Sequence, residues 1–157
     1  MDQAVVLVPL TCLKCKAALP AEPDQVAWVC ATCGQALYLN DESGLELLEL
    51  YYAAGIPEQA VGRPCWVTDG QVTLQRETFG TAKNSAEAQQ YWSGPRRFFI
   101  PADLPALEEM LSQAVQWMAQ PPRLEAGPPA KFRPVILEMK DVVAAAEFIV
   151  VALEAGR

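Results

Sequence analysis

Two cysteine pairs carry the most specific chemistry in this chain: Cys12-Leu-Lys-Cys15 and Cys30-Ala-Thr-Cys33, separated by fourteen residues. A tight turn across CxxC brings its two thiols toward one point. Two such turns, brought together by a hairpin, complete a tetrahedron of sulfurs about 2.3 Å from a metal ion. Soft thiolates select zinc or iron over magnesium and calcium. When thiolates fill all four positions, no open position remains for a substrate or an activated water, so the expected role of the ion is structural. One Zn²⁺ on Cys12, Cys15, Cys30 and Cys33 is the expectation.

At these motifs the chain resembles the zinc-ribbon family, over residues 5–40. The resemblance implies a metal-held β-ribbon and says nothing of function, because such ribbons host many unrelated activities. Gly34 follows the second pair as the family prefers, since the turn passes through a left-handed backbone geometry that glycine adopts freely. Lys16 stands at the matching place after the first pair, where a left-handed lysine costs about 1–2 kcal/mol. Four thiolates outweigh the charge of Zn²⁺, and Lys14 and Lys16, the only basic residues of this module, stand beside them. Lys14, Lys16 and Gly34 are therefore expected to support the ligands.

Other readings of the same residues stay open. Rubredoxin-like iron accepts the same four thiolates and would make the chain an electron carrier. Redox-active CxxC pairs sit singly at a helix start, whereas these are duplicated at ribbon spacing. The fifth cysteine, Cys65, falls on an apolar strand face and is expected to be an inert buried thiol. No histidine occurs, which removes imidazole acid–base chemistry and every histidine-containing metal site. Arg96-Arg-Phe-Phe99 mixes basic and aromatic residues as nucleic-acid strands do; a short strand with alternating exposure accounts for it equally well. Glu46, Glu49 and Glu77 read as a solvated face. No catalytic constellation emerges, and a non-enzymatic protein is expected.

The elements that must position these groups follow from patterning. Residues 5–10 lead into the first CxxC, 26–29 into the second, and 37–39 lead out, with a proline-rich and acidic loop at 19–24. A module of residues 1–44 is too small to bury its own core and needs its metal. Residues 45–157 are long enough for a self-sufficient small domain. There, Asp69-Gly70 is a favoured hairpin turn, pairing Cys65 with Leu74 and placing Cys65, Val67, Val72 and Leu74 on one apolar face. Residues 96–100 read as a strand. Asp103 is expected to cap a helix whose apolar stripe is Leu104, Leu107, Leu111, Ala114, Val115 and Met118. After a loop with five prolines (121–134), residues 132–138 read as a strand and Asp141 caps a last helix. The fold class expected is α+β: an N-terminal four-cysteine zinc ribbon, then a small antiparallel-sheet domain with two C-terminal helices.

That last helix carries a single charge, Glu147, between residues 142 and 153. A helix apolar on nearly all sides must be covered nearly all round. Phe148, Ile149, Val150 and Leu153 are accordingly candidate interface residues, toward a protein partner or a second copy in a homodimer. Net charge is −7 and no segment is basic, so non-specific nucleic-acid binding and attraction to anionic lipid are not expected. No apolar run reaches the roughly 18 residues of a membrane span. The start lacks the basic residues and long apolar core of an export signal, which points to the reducing cytoplasm, where four thiols persist. The function expected first is a non-enzymatic adaptor or regulatory protein engaging another protein. Second is an accessory zinc ribbon of nucleic-acid machinery, and third is the rubredoxin-like carrier.

Overall fold

The computed structural model describes residues 7–20, 22–74, 82–103 and 106–156. It is a mixed α+β chain with four of its five cysteines gathered toward its N-terminal end. Three short strands, β1 (Ala27–Val29), β2 (Ala36–Asn40) and β3 (Gly44–Leu48), form an antiparallel sheet in that order. Alternation along them sorts the side chains. Trp28 pairs with Leu37, and Leu39 with Leu45, and these four belong to an apolar cluster around Cys12 and Cys30. Ala27 pairs with Tyr38, and these together with Leu48 belong to the larger core. The sheet thus serves both parts of the molecule. Asn40 opens its tight turn by accepting the Glu42 amide at 2.9 Å, and Gly44 closes it at φ 83°, the left-handed position of a three-residue hairpin loop. The point between residues 44 and 45 falls inside this β2–β3 ladder. A further bond runs from the Val26 amide to the Val135 carbonyl at 2.8 Å, fastening the sheet to the C-terminal third.

Two further pairings are short. β4 (Tyr52–Ala53) pairs antiparallel with β8 (Leu124–Glu125), and β5 (Val61–Gly62) pairs parallel with β9 (Lys131–Phe132). Of the strand expected over residues 132–138, only Phe132 at the end of β9 and an isolated bridge from Val135 to Ala27 remain, because Pro134 has no amide to continue a ladder.

The longest ladder corrects the expected hairpin. β6 (Cys65–Gly70) pairs antiparallel with β7 (Arg96–Pro101), from Cys65↔Pro101 to Gly70↔Arg96, and not with residues 71–74. Trp66 on β6 and Phe98 and Ile100 on β7 share the core face, whereas Val67 is exposed and Cys65 is half-buried. A local hairpin would have set Trp66 opposite Thr73; the long-range partner sets it opposite Ile100. Phe98 and Phe99 are both buried, so the alternating exposure expected of β7 is absent: the strand is covered on both faces.

Among the described residues there are three α-helices: α1 (Ala82–Tyr91), α2 (Leu107–Ala119) and α3 (Val142–Ala155), the last preceded by a 3₁₀ turn at Met139–Asp141. α2 packs on β7 and α3. Ala114 is buried and Leu111, Val115 and Met118 pack partly against the core as the expected stripe requires, while Met110 joins them and Leu107 is exposed; Leu104 lies outside the described residues. Asp103 does not cap α2, whose N-cap is Ala106 with no side-chain bond. Its carboxylate is instead buried, 3.5 Å from Arg63 and 3.7 Å from Arg133. There it ties the segments of β5 and β9 to the end of β7. Asp141 stands at the start of α3, also without a side-chain bond.

α3 is covered on one side. Val142, Ala145 and Ile149 are buried in the core, and Val150 and Leu153 pack partly against it. Ile149, at 0% exposure, is thus a core residue and not an interface residue. Phe148 does face outward, together with Val143 and Val151. Among the described residues no helix is long and apolar enough to cross a membrane.

Candidate metal centre

The two cysteine turns are built alike. In the first, the Cys12 amide donates to the Ala17 carbonyl at 2.8 Å and the Lys16 amide donates to the Cys12 carbonyl at 2.9 Å. In the second, the Cys30 amide donates to Gln35 at 2.9 Å and the Gly34 amide to Cys30 at 2.8 Å. Each turn passes through the left-handed region at its fifth residue, Lys16 at φ 66° and Gly34 at φ 76°. Lys16 takes this geometry despite its side chain, whose ammonium reaches the Leu13 carbonyl at 3.3 Å. The second turn is carried between β1 and β2; the first is closed by a bridge between Thr11 and Ala18.

The four sulfurs converge. Cys12 and Cys33 stand 3.6 Å apart, Cys15 and Cys30 stand 3.5 Å apart, and all four lie within 4.8 Å of one another. A tetrahedron with legs of about 2.3 Å has edges of about 3.8 Å, so the spacing suits a single ion at the centre. These four cysteines lie close enough to bind a metal ion, and the donor set is all sulfur. Leu19, Trp28 and Leu37 wall it, leaving Cys12 and Cys30 buried and Cys15 and Cys33 half-buried.

Backbone amides set the charge of the sulfurs. The Cys33 amide, and after it that of Thr32, lowers the Cys30 thiol to about 6. The Cys15 amide holds the Cys12 thiol below its ordinary value, helped by Lys14, whose amide lies 3.4 Å from the Cys12 sulfur. At Cys15 the amide of Ala17 pulls downward, but burial and the three neighbouring thiols prevail and hold it up at about 12. Sulfurs this close oppose one another as anions, and a cation among them lets all four ionise. Lys14 therefore acts here through its peptide amide. Gly34 and Lys16 shape the turns, and both lysine side chains are exposed.

The chain matches no family model, no curated protein and no solved structure. Its cysteine centre is its most specific chemical feature. Burial, with the nearby charge of Asp103, pushes the Cys65 thiol up to about 11, which keeps it protonated and unreactive at neutral pH. Arg97 is taken up by a two-pronged pair with Asp69 (2.8 and 3.1 Å), and Arg96 donates to the Tyr91 carbonyl and lies 3.8 Å over its ring. Glu46 accepts from Ser43 and Tyr38 within the β2–β3 hairpin; Glu77 lies outside the described residues. Sequence reasoning missed the walls of the centre. Leu19, Trp28 and Leu37 read as ordinary strand and loop residues, and only the sheet register shows which of them face the sulfurs.

Proposed function

We propose that this chain is a non-enzymatic adaptor or regulatory protein whose N-terminal zinc ribbon is held by one structural Zn²⁺ on Cys12, Cys15, Cys30 and Cys33. The observation that carries the reading is the convergence of four sulfurs from two matched turns. Zinc suits such a set because it imposes no geometry beyond the tetrahedron and takes thiolates readily. A closed shell of protein ligands leaves no position for catalysis on the ion. The ion would link two turns in a module whose own apolar cluster is small. A reducing cytoplasm suits four thiolates.

The adaptor part is supported by apolar surface. Val143, Phe148 and Val151 stand exposed along α3, and exposed apolar patches are where proteins meet partners. The test has two arms. Elemental analysis of protein grown without added metal should show zinc near one per chain, and a red preparation dominated by iron would overturn the zinc reading. Affinity capture from native lysate should retain a protein partner at physiological salt. Retention of nucleic acid alone, lost steeply as salt rises, would overturn the adaptor reading.

A further inference from the structure

Two sulfur contacts in the cysteine centre cross from one turn to the other: Cys12 to Cys33 at 3.6 Å and Cys15 to Cys30 at 3.5 Å. Each joins a buried cysteine to a half-buried one, since Cys12 and Cys30 are buried and Cys15 and Cys33 are half-buried. A small solute that reaches the half-buried sulfur of either pair finds it already in contact with a second sulfur. A disulfide bond is about 2.05 Å long, so each pair closes by a movement of about 1.5 Å.

The other two ways of pairing these cysteines fit less well. A link from Cys12 to Cys30 would join the two buried residues and offer a solute no half-buried sulfur to attack. Links within each CxxC would have to form inside turns already closed by amide bonds, Lys16 to Cys12 and Gly34 to Cys30. Redox-active CxxC pairs sit at a helix start, and neither pair opens a helix here. The links across the turns span 21 and 15 residues, and a long closed loop restricts the unfolded chain more than a short one.

We propose that the centre is a reversible redox switch, in which a peroxide converts the four thiolates into two disulfides, Cys12–Cys33 and Cys15–Cys30. These bonds then tie the turns together in place of the cation. The proposal rests on the reading of these cysteines as metal ligands and gives that site a regulation. In each pair the half-buried thiolate attacks one peroxide oxygen and the O–O bond breaks. The sulfur becomes a sulfenic acid, and the departing hydroxide takes a proton to become water. The buried thiolate then attacks that sulfur, the S–O bond breaks, and a second hydroxide leaves and is protonated. Two peroxides thus take four electrons from four sulfurs and become four waters. Disulfide sulfurs carry no charge, so the centre releases its cation with the oxidation state unchanged. A dithiol reverses the step by exchange and is itself oxidised to a disulfide.

The test uses the full zinc-loaded chain and hydrogen peroxide. Oxidation should release one zinc per chain, read with a metal-sensitive dye, and consume four of the five thiols, sparing Cys65 on β6. Trypsin cuts after Lys14, between Cys12 and Cys15, and after Lys16, and the next basic residue is Arg63. With free thiols blocked, a non-reducing digest should show Cys12 and Cys15 each linked to the peptide of residues 17–63. Fragmentation should place those links at Cys33 and Cys30. A dithiol followed by zinc should restore the parent.

The switch is overturned if Cys12 is linked to Cys15 or to Cys30, if the disulfides run between chains, or if the thiols pass on to sulfinic acids. It is also overturned if zinc and thiols survive a peroxide dose that oxidises free cysteine. The two readings fail separately. A zinc-loaded chain that gives other links overturns the switch and leaves the metal reading standing. A chain isolated without metal overturns the metal reading, and its peptides still decide the pairing.

Discussion

Lys16 and Gly34 occupy the same place in two copies of one turn: each amide donates to the carbonyl of the first cysteine of its pair, and each backbone is left-handed, at 66° and 76°. Only one of the two residues is suited to that geometry. A left-handed non-glycine residue costs about 1–2 kcal/mol, and glycine gives back part of this through its looser unfolded chain. Lys16→Gly should therefore stabilise the metal-loaded protein, by no more than about 1 kcal/mol. Nothing lies within 4 Å of a Cβ built on Gly34, so Gly34→Ala meets no clash and should cost about 1 kcal/mol from the backbone alone. Thermal unfolding of both variants checks the pair; equal and opposite shifts are not required, but opposite signs are.

Removing a ligand should act unevenly along the chain. Cys12→Ser or Cys30→Ser should abolish stoichiometric metal and expose the amides of the cysteine turns, because the local apolar cluster is small. β7, α2 and α3 pack on each other through the larger core and should keep their protection. Hydrogen exchange measures this directly. Since Ala27, Tyr38 and Leu48 reach into the larger core, the sheet should lose protection last within its module. Cooperative loss throughout would mean that the metal holds the whole molecule.

Cys65 should show its burial in its pH dependence. Its thiol, raised from 9.0 to about 11 in the folded chain, stays protonated where the unfolded thiol ionises. A raised value means that its stabilising contribution is complete below the unfolded value and is lost as pH rises through the folded one. The parent should thus lose stability relative to Cys65→Ala between about pH 9 and 11, and alkylation of native Cys65 at neutral pH should be slow. Cys65→Ala should retain full metal content. Urea titrations across this range, with thiol labelling and elemental analysis, test all three statements.

Two neighbours on α3 should respond in opposite ways. Ile149 is at 0% exposure and Phe148 at 50%. Truncating Ile149 to Ala should cost about 2–5 kcal/mol, and Ile149→Asp should unfold the chain by burying an unpaired charge. Phe148→Asp should leave the unfolding midpoint within about 0.5 kcal/mol of the parent. A loss of stability at Phe148 as large as at Ile149 would mean that the exposed stripe is covered by a stable second copy.

The cysteine centre was legible in the sequence because it is local. Each turn is closed by bonds between residues four or five apart, Lys16 to Cys12 and Cys12 to Ala17, Gly34 to Cys30 and Cys30 to Gln35. CxxC with its flanking residues contains nearly all the information the turn needs. The start of α3 at Val142 and the strand over residues 96–100 were legible for a similar reason, since their apolar runs and breaks lie within one element. Only the tertiary structure decided the partner of β6. Asp69-Gly70 favours a turn locally, yet β6 pairs with β7, where Trp66, Phe98 and Ile100 are buried in one core, and Val72 and Leu74 pack only partly against that core. The same competition moved Asp103 from a helix cap to a buried carboxylate between two arginines, and turned Ile149 inward. Hydrogen bonds within a turn are settled by neighbours in sequence, whereas burial depends on which distant surfaces meet, and an apolar pattern alone does not say which.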